Sequence, residues 1–277
     1  MNTPSATRTR RLSAAALSLV LAGSLSACDA QQTAQPALKS GQRTLRSAVE
    51  VGQRTFGMGC GFQLDPVERK KPAAEPDPTK PVEMSELLRD TNRAFTYVNR
   101  FWDTHWSECF NFDYQEPHRF PNVKKGTSLA CGKGSLEYDN AAYCADGHWV
   151  AIGTKVIGWG KKSGDMVVYV AVAHELGHGV QSQLRNTKYA HLIAKPQTKA
   201  NELQADCLAG AALAGSSVEK DGFTWETRDA GEVNETYKLV GDLENIDNST
   251  HGDAGERVSH FQHGREAGVS ACFTWSK

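Results

Sequence analysis

The residues of this 277-residue chain best suited to chemistry are two histidines and a glutamate that stand close together. His174 and His178 are four residues apart, and Glu175 directly follows the first of them. Residues four apart on a helix lie about 40° from each other around the axis, so both imidazoles can project from one face and bind one metal ion. This HExxH motif indicates two zinc ligands and a general base.

A third ligand is needed, because catalytic zinc sites use three protein ligands. Glu202 lies far enough after His178 for one helix to end and a second to return. Asp206 lies four residues after Glu202 and shares its helix face, so one carboxylate can bind zinc while the other orients a ligand histidine. Alone, the two acids would be an ordinary solvated helix face, but their pairing with HExxH favours a metal site.

Helices are predicted to carry these residues. The stretch 166–173, just before HExxH, is apolar on nearly every face, which predicts a buried helix. Thr198 is expected to cap the helix that carries Glu202. The helical patterns cover roughly residues 165–186, 198–214, 229–246 and 254–266.

Upstream of these helices, the sequence predicts one further helix and then a small sheet, which makes an α+β domain. Three apolar residues recur every seven positions in the first helix: Leu88, Phe95 and Trp102. Ser85 is its expected N-cap. Residues 109–160 have the aromatics, glycines and short apolar runs of strands and turns. Within them, the strand at 149–153 is a candidate edge that could pair with an extended peptide.

The charges of the chain nearly cancel, with 31 Lys and Arg against 32 Asp and Glu and a formal net charge of -1. This balance argues against a nucleic-acid-binding protein, which typically has a strong basic excess. No apolar run reaches the roughly 20 residues that a membrane-spanning helix needs, which argues against a multi-span membrane protein. One globular domain is the default expectation.

The first 27 residues have the pattern of an export signal. Three arginines and no acid precede an apolar stretch at 14–25, which is too short to span a membrane as an anchor. The stretch ends in Leu-Ser-Ala-Cys, which resembles the lipobox of bacterial lipoproteins, so Cys28 is the candidate lipid anchor. The alternative is ordinary secretion with cleavage after a small residue. Residues 28–83 then form the anchor, a tether and a proline-rich lead-in, and residues 84–277 form the folded domain.

The other six cysteines are an even number in a chain predicted to be exported, so three disulfides are expected. They are Cys60, Cys109, Cys131, Cys144, Cys207 and Cys272. Six cysteines allow 15 pairings. The short, glycine-containing loop between Cys131 and Cys144 favours that local bridge. A zinc cluster or free thiols are less favoured, because the chain has no CxxC spacing.

Several spaced motifs together resemble the bacterial neutral zinc metallopeptidase family. This family has the glutamate-zincin active-site arrangement of thermolysin, in which HExxH is followed by a glutamate ligand. The matching strings are His174-Glu-Leu-Gly-His-Gly-Val-Gln181, Glu202-Leu-Gln-Ala-Asp-Cys-Leu-Ala-Gly210, and His251-Gly252 with Arg257 and Phe261. Further matches at Ala130-Cys-Gly132, Tyr143-Cys144 and Cys272-Phe-Thr-Trp275 extend the likeness over about residues 84–277. This chain departs from the family in having Leu243 after Gly-Asp and Asp253 after His-Gly.

The resemblance implies a zincin-like fold, in which a small sheet packs with an active-site helix and a helical C-terminal half. It implies zinc ligands at His174, His178 and Glu202, a general base at Glu175, and Asp206 orienting a ligand histidine. It also suggests His251 as a donor to the reacting carbonyl oxygen, although a surface histidine fits its sequence equally well. The implied disulfides are Cys131–Cys144, Cys207–Cys272 and Cys60–Cys109.

The sequence therefore predicts a zinc endopeptidase that holds one Zn²⁺ and hydrolyses peptide bonds with activated water and Glu175 as base. Its expected partners are a peptide or protein substrate and, through the lipid, a membrane of the cell envelope, from which the protein faces the periplasm or the exterior. No nucleic-acid partner is expected. The alternative is a zinc-binding envelope lipoprotein with a structural, chaperone-like or adaptor role. Glu175 favours the enzyme, because a structural zinc site needs ligands but no adjacent base. Arg257 is expected to pair with Asp242 or to hold a substrate carbonyl, the ion pair being favoured.

Overall fold

A computed structural model of the chain describes residues 81–240 and 251–274. The strands are β1 (His118–Val123), β2 (Leu129–Cys131), β3 (Gly134–Leu136), β4 (Ala141–Cys144) and β5 (Trp149–Gly153). The α-helices are α1 (Met84–Cys109), α2 (Thr154–Ser163), α3 (Met166–Arg185), α4 (Lys199–Val218), α5 (Asp229–Val240), α6 (Ala254–Ala267) and α7 (Val269–Cys272). This is the predicted α+β fold. The signal segment 1–27, Cys28, Cys60 and the tether lie outside the described residues.

Helix α1 packs its apolar face on the core, and Phe95 and Trp102 are buried as the seven-residue spacing predicts. The prediction of Ser85 as its N-cap is wrong. Glu83 occupies that position with an extended backbone, and its carbonyl accepts hydrogen bonds from the N–H groups of Glu86 and Leu87. The helix therefore begins two residues earlier than predicted, and Ser85 lies inside it.

The small mixed sheet has the order β1-β5-β4, with β5 parallel to β1 and antiparallel to β4. Because β5 lies in the centre, the prediction that residues 149–153 form an edge is wrong. All five of its residues are buried, as is typical of a strand covered on both faces. The two edge strands of this sheet are β1 and β4. Residues 154–160, predicted as strand or turn, begin helix α2, which buries Val156 and Ile157.

The four C-terminal helical predictions are confirmed to within a few residues, although residues 241–246 of the third lie outside the described part. Helix α3 is buried along most of its length, as its apolar sequence predicts. Thr198 caps α4 by accepting a hydrogen bond from the Asn201 N–H, also as predicted. In the ranges 81–240 and 251–274, no helix combines the length and apolar character needed to cross a membrane.

Candidate metal centre and active site

Helices α3 and α4 bring the three predicted ligands together. The Nε2 atom of His174 lies 3.3 Å from one carboxylate oxygen of Glu202, and the Nε2 atom of His178 lies 3.4 Å from the other. One potential ligand atom from each residue lies within 4.8 Å of the other two. Two imidazole nitrogens and a carboxylate oxygen are a donor set that suits zinc.

A glycine allows this close approach of the two helices. A Cβ atom at Gly177 would lie 3.0 Å from the carbonyl oxygen of Ala205 on α4, tighter than ordinary packing. The absence of a side chain lets the helix backbones come near enough for Glu202 to reach both histidines. Gly177 lies between the two histidines of the motif, and its lack of a side chain thus sets the distance between the two helices at the site.

The charges at the site favour a cation. Burial alone would lower the pKa of His174. The negative charge of Asp206 and its hydrogen bond together outweigh burial and raise this pKa to about 10. Burial raises the pKa of Glu202, but hydrogen bonds from both histidines bring it well below the usual range. The negative carboxylates around the imidazoles thus favour a cation at this position, either the proton of an imidazolium or a metal ion that replaces it.

Asp206 orients His174 and is itself held by an arginine. Its Oδ1 atom lies 2.7 Å from His174 Nδ1, so a proton on Nδ1 leaves Nε2 free to face the metal position. Arg257 donates to both carboxylate oxygens, at 2.8 and 2.9 Å, and this pair is buried. Burial raises the pKa of Asp206, but the charge of Arg257 brings it below its ordinary value. Arg257 forms an ion pair as favoured, but with Asp206, and Asp242 lies outside the described residues.

Glu175 is held against the edge of the sheet. One of its carboxylate oxygens accepts a hydrogen bond of 2.7 Å from the backbone N–H of Tyr143 in β4. The side chain is 8% exposed and lines the same cavity as the three ligands. This contact holds the Glu175 carboxylate against strand β4, in the cavity that the three candidate ligands also line.

The cavity at the site has a volume of about 460 Å³, which is within the range of ligand-binding clefts. Strand β4 forms one wall, and apolar side chains of α2 and α3, among them Trp159 and Val170, form another. His251 also lines the cavity, so the structure brings this predicted residue to the ligands. Asp253, two residues on, caps α6 in a capping box with Glu256. A small hydroxyl residue could accept the same hydrogen bond, so this departure from the family keeps the helix start.

Sequence reasoning missed the partner of the second ligand histidine. The Nδ1 atom of His178 lies 2.8 Å from the side-chain oxygen of Gln181. The available signal was position, because Gln181 follows His178 by three residues and so lies on the same face of α3. The sequence gives no chemical signal for this role, because the partner of a ligand histidine is more often a carboxylate than a side-chain amide.

Two of the expected disulfides lie wholly within residues 81–240 and 251–274. Cys131–Cys144 joins the β2–β3 hairpin to β4, and Cys207–Cys272 joins α4 to α7. Cys207 directly follows Asp206, so the second bridge ties the ligand-bearing helix to the C-terminal end. Cys109 is also disulfide-bonded, and its expected partner, Cys60, lies outside the described residues.

Comparisons with known proteins agree with the motifs. The family model described as "Putative neutral zinc metallopeptidase" matches residues 77–275 of the chain. The matched range includes the three candidate ligands, Glu175 and His251, and the predicted resemblance is thereby confirmed. Neither the curated proteins nor the solved structures contain a significant match.

Proposed function

The chain belongs to the family described as "Putative neutral zinc metallopeptidase", and we propose that it is a zinc-dependent endopeptidase anchored in the bacterial envelope. The observation that carries this proposal is the convergence of His174, His178 and Glu202 beside Glu175 in one cavity. A purely structural zinc site needs no such base and is typically closed by a fourth protein ligand.

The two imidazole Nε2 atoms and the Glu202 carboxylate would hold the ion. When bound, zinc supplies a Lewis acid that polarises a peptide carbonyl and lowers the pKa of a water molecule to about 7. Glu175 accepts the proton of the attacking water and passes it to the leaving amine nitrogen. The Tyr143 N–H keeps the Glu175 carboxylate oriented between these two positions.

Strand β4 is suited to hold the substrate chain in an extended conformation. Of its outward N–H groups, that of Ala141 is bonded to the Asn140 side chain and that of Tyr143 to Glu175. The carbonyl groups of Ala141 and Tyr143 point to the same side as their N–H groups and can accept hydrogen bonds from substrate N–H groups. The apolar wall opposite suits a bulky apolar side chain.

We assign His251 the role of donor to the substrate carbonyl oxygen as this gains negative charge. Its place on the cavity wall, beside Gly252, supports the assignment. Gly252 has a φ of 90°, so the backbone turns there in a conformation that favours glycine. A His251→Ala variant that hydrolyses peptides at the wild-type rate would remove this role.

We also propose that Cys28 is lipidated after removal of residues 1–27. The lipobox-like sequence supports this, and so do the disulfides, because such bridges persist in oxidising compartments outside the cytosol. Labelling of cells with radioactive palmitate should mark the wild-type protein and leave Cys28→Ser unmarked. A Cys28→Ser protein that still carries label and still sediments with membranes would contradict the anchor.

The test of the enzymatic proposal is cleavage of an unstructured protein, such as casein, by purified wild type and Glu175→Gln. We expect Glu175→Gln to keep its zinc and to lose about 10²–10⁴-fold in rate, the usual contribution of a general base. Glu235→Gln is the matched control, because Glu235 is exposed and pairs with Lys238 on α5. Equal cleavage by zinc-loaded wild type and Glu175→Gln would refute the mechanism. Zinc binding without cleavage by either would favour the structural or adaptor role.

A further inference from the structure

A pair of glutamines lies behind the second ligand histidine, and both side chains are 1% exposed. The first of these, Gln204 on α4, contacts the backbone on two sides. Its Nε2 atom donates to the carbonyl groups of Leu192 and Cys272, at 2.8 and 3.2 Å. Its Oε1 atom accepts a hydrogen bond from the Ala194 N–H at 3.0 Å. Because a carbonyl group can only accept, these contacts fix which end of the amide is nitrogen.

The orientation of Gln204 determines that of the second glutamine, Gln181. The Oε1 atom of Gln204 accepts from Gln181 Nε2 at 3.1 Å, and Gln181 Nε2 also donates to the carbonyl of Asn201 at 2.8 Å. With its nitrogen used in this way, Gln181 presents its oxygen to His178 Nδ1. Since an amide oxygen accepts, Nδ1 of His178 must carry a hydrogen, and in the neutral imidazole Nε2 is then the nitrogen that can bind a metal.

We propose that Gln181 and Gln204 are positioning residues for the zinc ligands and act as a buried amide relay. The relay begins at the carbonyl groups of Leu192 and Cys272 and ends at His178, where it fixes the ring and its tautomer. It also ties the carbonyl of Asn201, the residue directly before the ligand Glu202. The inference rests on the proposed zinc site, and its test uses metal binding and not cleavage.

The two ligand histidines are thus supported by different chemistry. His174 faces a carboxylate that is paired with an arginine, whereas His178 faces a neutral amide. A neutral partner adds no second buried charge and relies on geometry alone. At its far end the relay contacts the backbone carbonyl groups of Leu192 and Cys272, and the Cys207–Cys272 disulfide ties the second of these residues to α4.

The experiment measures the zinc dissociation constant by competition with a chelator for the purified protein and three methionine variants. Gln181→Met removes the acceptor for His178 and should raise the constant about 10–100-fold, as is typical when a partner of a ligand histidine is lost. Gln204 forms its hydrogen bonds with Gln181 and with backbone groups, not with a ligand side chain, yet Gln204→Met should also weaken zinc binding because Gln181 loses its orienting partner. Gln183→Met is the matched control, because Gln183 lies on the same helix but bonds the backbone of Gln115 and should bind zinc as wild type does.

A double variant and a spectrum separate a relay from a general loss of packing. In a relay, Gln181→Met and Gln204→Met together should weaken binding by less than the product of their separate effects. The visible absorption of bound Co²⁺ should shift in both single variants, because the geometry of His178 changes, and should be unchanged in Gln183→Met. If Gln204→Met does not fold, Gln181→Met with the Co²⁺ spectrum carries the same test.

Wild-type zinc affinity and an unshifted Co²⁺ spectrum in folded Gln181→Met would overturn the inference. Wild-type affinity in folded Gln204→Met, or multiplicative effects in the double variant, would also overturn the relay. Zinc binding by wild type without cleavage would contradict the proposed function and leave the relay intact. A wild-type protein that binds no zinc would overturn both.

Discussion

Replacing Asp206 by Asn removes one charge from a buried ion pair while it keeps the size of the side chain. Asp206 is 0% exposed, and Arg257 is bound to both of its carboxylate oxygens. Removal of one partner leaves a buried charge without compensation, which typically costs about 3–5 kcal/mol of unfolding free energy. For a domain of this size the same loss lowers Tm by about 6–20 °C.

The same substitution weakens zinc binding through a different contact. His174 Nδ1 lies 2.7 Å from Asp206, and loss of such a carboxylate typically lowers metal affinity about 10–100-fold. The double variant Asp206→Leu with Arg257→Met separates the two effects. Replacing a buried ion pair by apolar residues of similar volume is often neutral or stabilising, so stability should return. Zinc affinity should stay low, because a leucine cannot accept a hydrogen bond from the imidazole.

Urea unfolding of the metal-free proteins measures the first effect, and chelator competition measures the second. Metal-free protein is needed because bound zinc adds its own binding energy to the stability. A metal-free Asp206→Asn protein within about 0.5 kcal/mol of wild type, the range of ordinary surface substitutions, would refute the argument from the buried pair. Wild-type zinc affinity in the double variant would refute the orienting role of Asp206.

Three further variants test other parts of the structure. Gly177→Ala places a methyl group against the backbone of α4, so we expect about 1–3 kcal/mol of destabilisation and weaker zinc binding; unchanged values of both would contradict the close approach. Replacing Cys207 and Cys272 together by Ala opens a bridge with a sequence separation of 65 and should cost about 4 kcal/mol in urea unfolding, against about 3 kcal/mol for the hairpin bridge with a separation of 13. The reverse order would contradict the loop-entropy argument. Burial raises the pKa of Asp165 to about 8 and that of Asp229 to about 7, and neighbouring carboxylates add to both shifts. A raised carboxyl pKa contributes stability that is present at about pH 4 and is lost as pH rises through the folded-state value, so unfolding free energy should fall from about pH 4 to 8. Asp229→Asn should flatten that fall, and a pH profile identical to wild type would contradict the shift.

The site could be predicted from sequence where local spacing carries the information. Helix geometry explains why the residues of HExxH, and likewise Glu202 and Asp206, share one helix face. The apolar run before His174 predicts a buried helix from neighbouring residues alone. The order of strands could not be read in this manner. The four apolar residues that begin β5 fit either an edge strand or a central strand until the neighbouring strands are known.

Two other supporting contacts, the partner of Arg257 and the far end of the relay, depend on tertiary packing, and sequence patterns do not predict them. The partner of Arg257 lies 51 residues away, and the relay joins Gln204 to Cys272 across 68 residues. Neither pairing has a periodic signal. Gln181 is the exception, because it lies within one turn of His178, but its role follows only once the orientation of Gln204 is known.

The central claim is that one zinc ion held by His174, His178 and Glu202 works with Glu175 to hydrolyse peptide bonds. The most direct measurement is a titration of metal-stripped protein with zinc while cleavage of an unstructured protein is followed. Cleavage should rise linearly, reach a plateau at about one zinc per chain as a three-ligand site requires, and stay near background in Glu175→Gln at every zinc level. Full cleavage by the metal-free protein, or equal cleavage by the zinc-loaded variant, would contradict the claim.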